Sequence, residues 1–272
     1  RIDANLTLND SACEAWDDDW DAPQTELASN GRVTVKLRGA FPRNCSTKTR
    51  LSVLDRNLYI ERFVRAFWRE LGGNWRGRVR DGLTPPEARL LAEHNSETLA
   101  DLVRPVNKAS DNAMARTLYL TLGTQLPATA RSDNTLVNAQ AAMQAWFARN
   151  GIATEGLVFE NGSGLSRLER ITAQQMASLL QLGARSNWYA EFASSLPIVA
   201  IDGAMRKRLR DSPAAARARI KTGSLRDVAA IAGYVRDVKN QDWVVVAMIN
   251  DADARKGRPA LDALVHWVAG GN

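Results

Sequence analysis

"IKTGSLRDVAAIAGYV", residues 220–235, decides how the rest of the chain is read. It opens with Lys221-Thr222-Gly223-Ser224 and continues as an apolar stretch rich in alanine and β-branched residues. A second apolar stretch, "WVVVAMIND" at 243–251, follows the polar "VKNQ" at 238–241. Two such runs joined by a polar turn predict an antiparallel hairpin with its strands buried in a sheet. The Lys-Thr-Gly triplet then sits just before the hairpin, at the start of an apolar strand. An edge strand has backbone N–H groups free to bind an extended peptide as one more strand. Lys221 offers a positive charge for a carboxylate, and Thr222 and Ser224 offer hydroxyls to the same group. Gly223 leaves room for a ligand backbone to approach. A bare triplet of this kind also occurs as an ordinary turn before a strand, so its meaning depends on its company.

Upstream, the pattern is helical. "DRNLYIERFVRAFWRELGG" (55–73) places Leu58, Phe63, Phe67 and Leu71 on or near one face, with Gly72 as a stop signal. "WRGRVRDG" (75–82) reads as a short strand with turns. "SETLADLVRPV" (96–106) begins a helix for which Ser96 is a plausible N-cap. "SDNAMARTLYLTLG" (110–123) and "SDNTLVNAQAAMQAWFARNG" (132–151) read as helices ending at Gly123 and Gly151. "ITAQQMASLLQLGAR" (171–185) is a further helix with Thr172 at its N-cap, and "RPALDALVHWVAGG" (258–271) is a terminal one. The first fifty residues are rich in loops and strand signals, among them "RVTVKLRGA" (32–40), where Val33, Val35 and Leu37 alternate with polar residues. "EAWDDDWDAP" (14–23) lacks the spaced ligands and glycine of an EF-hand and reads as a solvated acidic turn. The fold class expected is α/β of the α+β kind, an antiparallel sheet with a helical region. Residues 1–50 form part of a separate β-rich domain and 51–272 the main one.

Composition excludes several function classes. The 272 residues are 45% apolar and 24% charged, as in an ordinary globular chain. No apolar run approaches eighteen residues, so no transmembrane helix is expected. The net charge of +6 comes from 36 basic and 30 acidic residues, scattered along the chain. No recognition helix, zinc module or aromatic RNA-binding signature accompanies them, so nucleic acid is not an expected partner. Two cysteines and two histidines cannot build a zinc site of the usual spacing, and no metal or cofactor is expected. Cys13 and Cys45 flank the strand at 32–40; a disulfide closing about thirty residues contributes roughly 3 kcal/mol, while two buried thiols remain the alternative.

A lysine triplet of this type has a natural partner in Ser-x-Asn, which occurs twice, as Ser110-Asp111-Asn112 and as Ser132-Asp133-Asn134. Both precede helices, and on sequence grounds either could be no more than an N-cap. A Ser-His-Asp triad is a poor alternative, because His94 and His266 accompany no Gly-x-Ser-x-Gly elbow in a strand-to-helix setting.

"VNKASDNAMARTL" (106–118), "ENGSGLSRLERITAQQM" (160–176) and "IKTGSLRDVAAIAGYV" occur in this order. Together they resemble the D-alanyl-D-alanine carboxypeptidase/endopeptidase type of low-molecular-mass penicillin-binding protein, from about Cys13 to the end. The resemblance selects Ser110 and leaves Ser132 as a cap. It implies a Cys13–Cys45 disulfide in an accessory domain, and a periplasmic or exported cell-envelope location. It implies peptidoglycan peptides ending in D-Ala-D-Ala as substrates and β-lactam antibiotics as covalent inhibitors. Ser110 would relay a proton to the leaving nitrogen, and Asn112 would bond the substrate amide carbonyl. Lys221 would hold the substrate carboxylate with Thr222 and Ser224, and the Ser224 N–H would form half of an oxyanion hole. The segment at Ser163–Ser166 would line or buttress the groove.

The family's nucleophile is a Ser-x-x-Lys motif. No serine in this chain has a lysine three places on. The reading therefore expects a companion N-terminal segment that carries the motif, with residues 1–272 as the C-terminal portion. The rival readings are a peptidoglycan-binding pseudoenzyme and a β-lactamase; the accessory segment at 1–50 speaks against the latter.

Overall fold

The computed structural model describes residues 1–272 except Glu14, Ala15, Asp17, Asp18, Arg50, Ser52, Arg78 and Asn272. Most acids of the proposed turn at 14–23 thus lie outside the described residues. The chain divides into two compact units, Arg1–Leu91 and Ala92–Asn272. Among the described residues no helix is long and apolar enough to cross a membrane.

Among the described residues the first unit holds five short strands and one α-helix: β1 (Ile2–Ala4), β2 (Thr7–Asn9), β3 (Gln24–Leu27), β4 (Val33–Leu37), β5 (Ala40–Pro42) and α1 (Arg56–Glu70). The alternating run at 32–40 becomes β4, the centre of a three-stranded sheet, parallel to β1 and antiparallel to β3. β2 pairs with β5 in parallel. A Cys13–Cys45 disulfide joins the segments flanking these strands, with Cα atoms 5.2 Å apart. Asp55 caps α1 by accepting from the N–H groups of Asn57 (2.9 Å) and Leu58 (3.2 Å). By its contacts α1 groups with this first unit, whereas the sequence expectation divides the chain at 50/51. The described residues of 75–82 do not form the expected strand. Among the described residues from 74 to 97 none is in a strand, and the Trp75 and Gly77 carbonyls accept from the Arg65 guanidinium instead.

The second unit contains α2 (Leu99–Ala109), α3 (Asn112–Thr124), α4 (Thr135–Arg149), α5 (Ala173–Arg185) and α6 (Tyr189–Ser195). These are followed by β6 (Ala218–Leu225), β7 (Val228–Arg236), β8 (Asp242–Asn250) and α7 (Arg258–Ala269). The hairpin read from the apolar runs is β7–β8. The Lys-Thr-Gly run does not precede a strand but lies within one: β6 pairs antiparallel with β7 from Ala218↔Val235 to Leu225↔Val228. One face of this sheet packs Ile220, Ile231 and Val235 against Val265 and Ala269 of α7. The other packs Tyr234 against Leu180 of α5 and Ala193 of α6. The Tyr234 hydroxyl donates to the Leu180 carbonyl at 2.6 Å, and burial pushes its pKa up to about 12.

Several helix ends differ from expectation. α2 is capped by Thr98, not Ser96, and α4 by Asn134, whose side chain accepts from Leu136 (2.9 Å) and Val137 (3.3 Å). Thr172 caps α5 in a full capping box with Gln175, as its spacing predicts. Gly123 does not stop α3; it lies inside the helix where α4 crosses. A Cβ there would come within 2.5 Å of the Thr135 carbonyl and 2.7 Å of the Ala139 nitrogen.

Gly233, in the middle of β7, is under the same kind of constraint. A Cβ would run into the Arg219 carbonyl and the Ile220 backbone of β6. Gly233→Ala is expected to destabilise the protein by about 1–3 kcal/mol through overpacking, measured by denaturant unfolding. Unchanged stability would contradict this close approach of β6 to β7.

Candidate active site

β6 is an edge strand, and its two halves differ. Over the first half a second segment covers its free side: the Ile220 N–H donates to the Pro197 carbonyl (2.8 Å), and the Val199 N–H donates to the Ala218 carbonyl (3.0 Å). Backbone groups of an edge strand alternate, one residue facing its ladder and the next facing away. Ile220 faces away, so Thr222 and Ser224 do as well. The cover ends before they are reached, which leaves the peptide edge from Lys221 to Leu225 open among the described residues.

Ile220 points into the core, so Lys221 lies on the opposite face of the sheet. Its ammonium donates to the Ser110 hydroxyl at 2.6 Å and to the Thr222 carbonyl at 2.9 Å. Among the described residues no carboxylate pairs with it. Burial disfavours the charged form and pushes the Lys221 pKa below the ordinary lysine value.

Ser110 reaches this lysine from a strained position. It ends α2 in the left-handed conformation, φ 55° and ψ 51°, with its N–H donating to Val106. For a residue with a Cβ that conformation costs roughly 1–2 kcal/mol. Asp111 follows at once as the N-cap of α3, accepting from the Met114 N–H at 2.9 Å. Two residues, Ser110 and Asp111, therefore connect the helices, and Asn112 opens the second. Gly164, itself at φ +74°, lies alongside: a Cβ on it would be 3.7 Å from the Asn112 side-chain oxygen. The 161–164 turn is held by Glu169, which accepts from the N–H groups of Asn161 (3.3 Å) and Gly162 (3.0 Å).

A cleft of about 780 Å³ lies over one end of the sheet, lined by Gly223 and Ser224 of β6, Ala230 of β7 and Asn250 of β8 together with Gly164, Ser166 and Arg167; Ser110, Asn112 and Lys221 do not line it. An ion pair between Arg167 and Asp227 joins the 161–170 loop to the β6–β7 turn. Arg258, the first residue of α7, donates to the Ser224 hydroxyl at 3.2 Å. Neither arginine stands out in the sequence, because each acquires meaning only from a neighbour far along the chain.

The second Ser-x-Asn triplet is occupied with structural bonds. The Ser132 hydroxyl and N–H both donate to the Asn138 side-chain oxygen at 2.9 Å. Asn134, rather than Ser132 or Asp133, is the cap. His266 lies 3.0 Å from the Ser212 hydroxyl, but Asp262 on the same helix is engaged by Arg208 at 2.6 Å. His94 is exposed in the stretch of chain before α2. The structure brings Ser110 and Lys221 together beside the open edge of Thr222, Gly223 and Ser224, and sets the Asn112 side chain next to Gly164. This arrangement can hold a peptide carboxylate, and it can pass a proton through a hydroxyl bonded to a lysine of depressed pKa.

The chain is similar to known proteins over most of its length. It is 29% identical over 216 residues to a D-alanyl-D-alanine carboxypeptidase of Actinomadura sp. (strain R39), covering 75% of this chain and 39% of that protein. It is 27% identical over 201 residues to the D-alanyl-D-alanine carboxypeptidase DacB of Haemophilus influenzae, covering 73% of this chain and 41% of that protein. The chain thus spans about two fifths of the length of these relatives. A crystal structure of penicillin binding protein 4 from Haemophilus influenzae, complexed with a β-lactam, superposes with a TM-score of 0.75 at 22% identity. That match covers 98% of this chain and 62% of that one, and it shows a shared fold. The sequence profile of one family matches residues 9–270, and the chain belongs to it: the D-Ala-D-Ala carboxypeptidase 3 (S13) family.

Proposed function

We propose that residues 92–272 supply the carboxylate-binding and proton-relay side of a serine D,D-peptidase site, acting on peptidoglycan stem peptides that end in D-Ala-D-Ala. The observation that carries this reading is the 2.6 Å contact between Lys221 and Ser110 beside an uncovered strand edge. The Ser-x-x-Lys nucleophile is contributed by polypeptide outside residues 1–272. Its serine oxygen bonds to the carbonyl carbon between the two D-alanines and loses its proton to the neighbouring lysine. The C–N bond breaks, and Ser110 passes a proton to the departing nitrogen. Water then attacks the ester and frees the shortened peptide.

In this scheme Asn112 bonds the substrate amide carbonyl, and Thr222 and Ser224 grip the terminal carboxylate with Lys221. The outward Ser224 N–H forms half of an oxyanion hole, a donor worth about 3–4 kcal/mol. A β-lactam enters the same route, but its leaving nitrogen stays tethered and the ester persists. Residues 1–50 are read as part of an accessory domain. A cell-envelope location is consistent with the Cys13–Cys45 disulfide, since such bonds persist in oxidising compartments. The second reading, a binding module without catalysis, is favoured by one observation: the missing Ser-x-x-Lys in this chain.

Covalent labelling by penicillin tests the proposal. Intact mass of the polypeptide as its host makes it, with and without penicillin, is expected to show one drug mass added to a species containing residues 1–272. Lys221→Ala should slow that addition about a hundredfold or more, the scale of losing one charged transition-state contact. Acylation indifferent to Lys221→Ala would sink the groove assignment, and no added mass at all would favour the binding module.

Gly223 gives a test independent of the nucleophile. A Cβ there would meet only Ala230, at an ordinary 3.6 Å, so the fold itself does not demand glycine. Gly223→Ala should leave the unfolding midpoint nearly unchanged yet weaken binding of an N-acyl-D-Ala-D-Ala peptide, followed by NMR titration. Unaltered binding would mean that no ligand backbone passes over Gly223.

The protonation of Lys221 also has a signature in stability. Because burial lowers its pKa, the unfolded chain keeps this proton to higher pH than the folded one. Stability should therefore rise with pH between the depressed folded value and the ordinary 10.5. Lys221→Met should remove that component of the slope in denaturant titrations across this range; identical slopes would place the lysine in water.

A further inference from the structure

Lys108 lies two residues before Ser110 and plays no part in the groove described above. Its side chain is only 17% exposed. The ammonium donates to the Leu196 carbonyl at 2.6 Å and to both oxygens of Asp202, at 2.9 and 2.7 Å. Asp202 in turn accepts from the Ile198 N–H at 2.7 Å. Leu196 and Asp202 thus bracket Pro197–Val199, the segment bonded to the first half of β6. One side chain at the end of α2 is fastened, through that segment, to the strand that carries Lys221. The backbones are close as well: Gly203 adopts φ +55°, and a Cβ on it would come within 2.9 Å of the Lys108 carbonyl.

Other bonds hold α2 to α6, from Asn107 to the Ser195 hydroxyl at 2.7 Å and from Arg104 to Ser194 at 3.3 Å. Those partners lie in the last turn of α6 and do not touch the cover of β6. Lys108 alone among the described residues reaches both ends of that cover. A partly buried ion pair of this kind adds little net stability, because desolvation offsets much of its attraction. Its geometric effect is larger: three short donor contacts fix where the last turn of α2 ends. The Lys221–Ser110 bond is sensitive to that position, since hydrogen bonds weaken steeply outside their narrow range of distance and angle.

We propose that the Lys108–Asp202 pair is a positioning device that holds Ser110 against Lys221 by locking the end of α2 to the segment covering β6. Its catalytic meaning rests on the reading of Ser110 and Lys221 as a proton-relay pair; its geometry does not.

The test is a triple-mutant cycle on the polypeptide as its host makes it. The coupling between Ser110→Ala and Lys221→Met is measured by denaturant unfolding of the parent, then again in Lys108→Met and in Asp202→Asn backgrounds. The coupling is expected to shrink to near zero in both backgrounds. A pair that merely adds stability would lower the unfolding midpoint and leave the coupling intact, which overturns the proposal. If Lys108→Met does not fold, Asp202→Asn reads the same quantity, because its amide oxygen still accepts from Ile198. The cycle requires no catalysis, so it can succeed even where penicillin acylation proves indifferent to Lys221→Ala; in that case the functional reading fails and the positioning stands.

Discussion

The bond from Lys221 to Ser110 joins two pieces of chain 111 residues apart, and the features of the site are arranged around it. A hydrogen bond from a charged donor is worth about 1.5–3 kcal/mol, comparable to the cost of holding Ser110 left-handed. The burial that lowers the lysine's pKa is a further cost. The contact therefore does not pay for itself, and it persists because the elements on either side are fixed by other means. β6 is fixed by β7 along its whole length and by Ile220 in the core beneath. Ser110 is fixed by α2 behind it and by the Asp111 cap of α3 in front. Strain held by its surroundings in this way is characteristic of functional positions.

What could be read from the sequence was what local chemistry or periodicity determines. Thr172 with Gln175 three residues on predicts a capping box, and one forms. The apolar runs at 228–235 and 243–249 predict two buried antiparallel strands, and they pair as β7 and β8. β6 escaped as a separate strand because Lys221, Thr222, Gly223 and Ser224 interrupt its apolar character; only pairing with β7 makes them extended. α6 escaped for a different reason: it has seven residues, and Trp188 at its start offers no side-chain cap.

The site shows the same division. Nothing local separates Ser110-Asp111-Asn112 from Ser132-Asp133-Asn134; resemblance chose the first. The structure gives the choice a physical basis, since Asn138 engages the Ser132 hydroxyl and Lys221 engages that of Ser110. Arg167, Arg258 and Asp202 were missed because a lone basic or acidic residue has no signature until a distant partner is known; Lys108 is visible as the lysine before the first triplet, but its partner is not. Lys108 and Asp202 are 94 positions apart, a separation at which spacing carries no information.

The glycines show how fold and function place different demands on one residue type. Gly123 and Gly233 are required by the protein itself, where a neighbouring backbone occupies the space of a Cβ. Gly223 has no such neighbour and no positive φ. It lies on the half of β6 that nothing covers, flanked by two residues whose peptide groups face outward. A glycine whose own fold would accept alanine, on the half of β6 left open among the described residues, points to a requirement imposed from outside the chain. A ligand adding to that edge would impose it on the sheet face, because a side chain at Gly223 would rise beside Ala230 into the cleft lined by Gly164, where it would crowd the ligand's own side chain on that face. The peptide substrate proposed above, ending in a carboxylate and completing the sheet, would give the open edge, the buried lysine and the strained serine one common explanation.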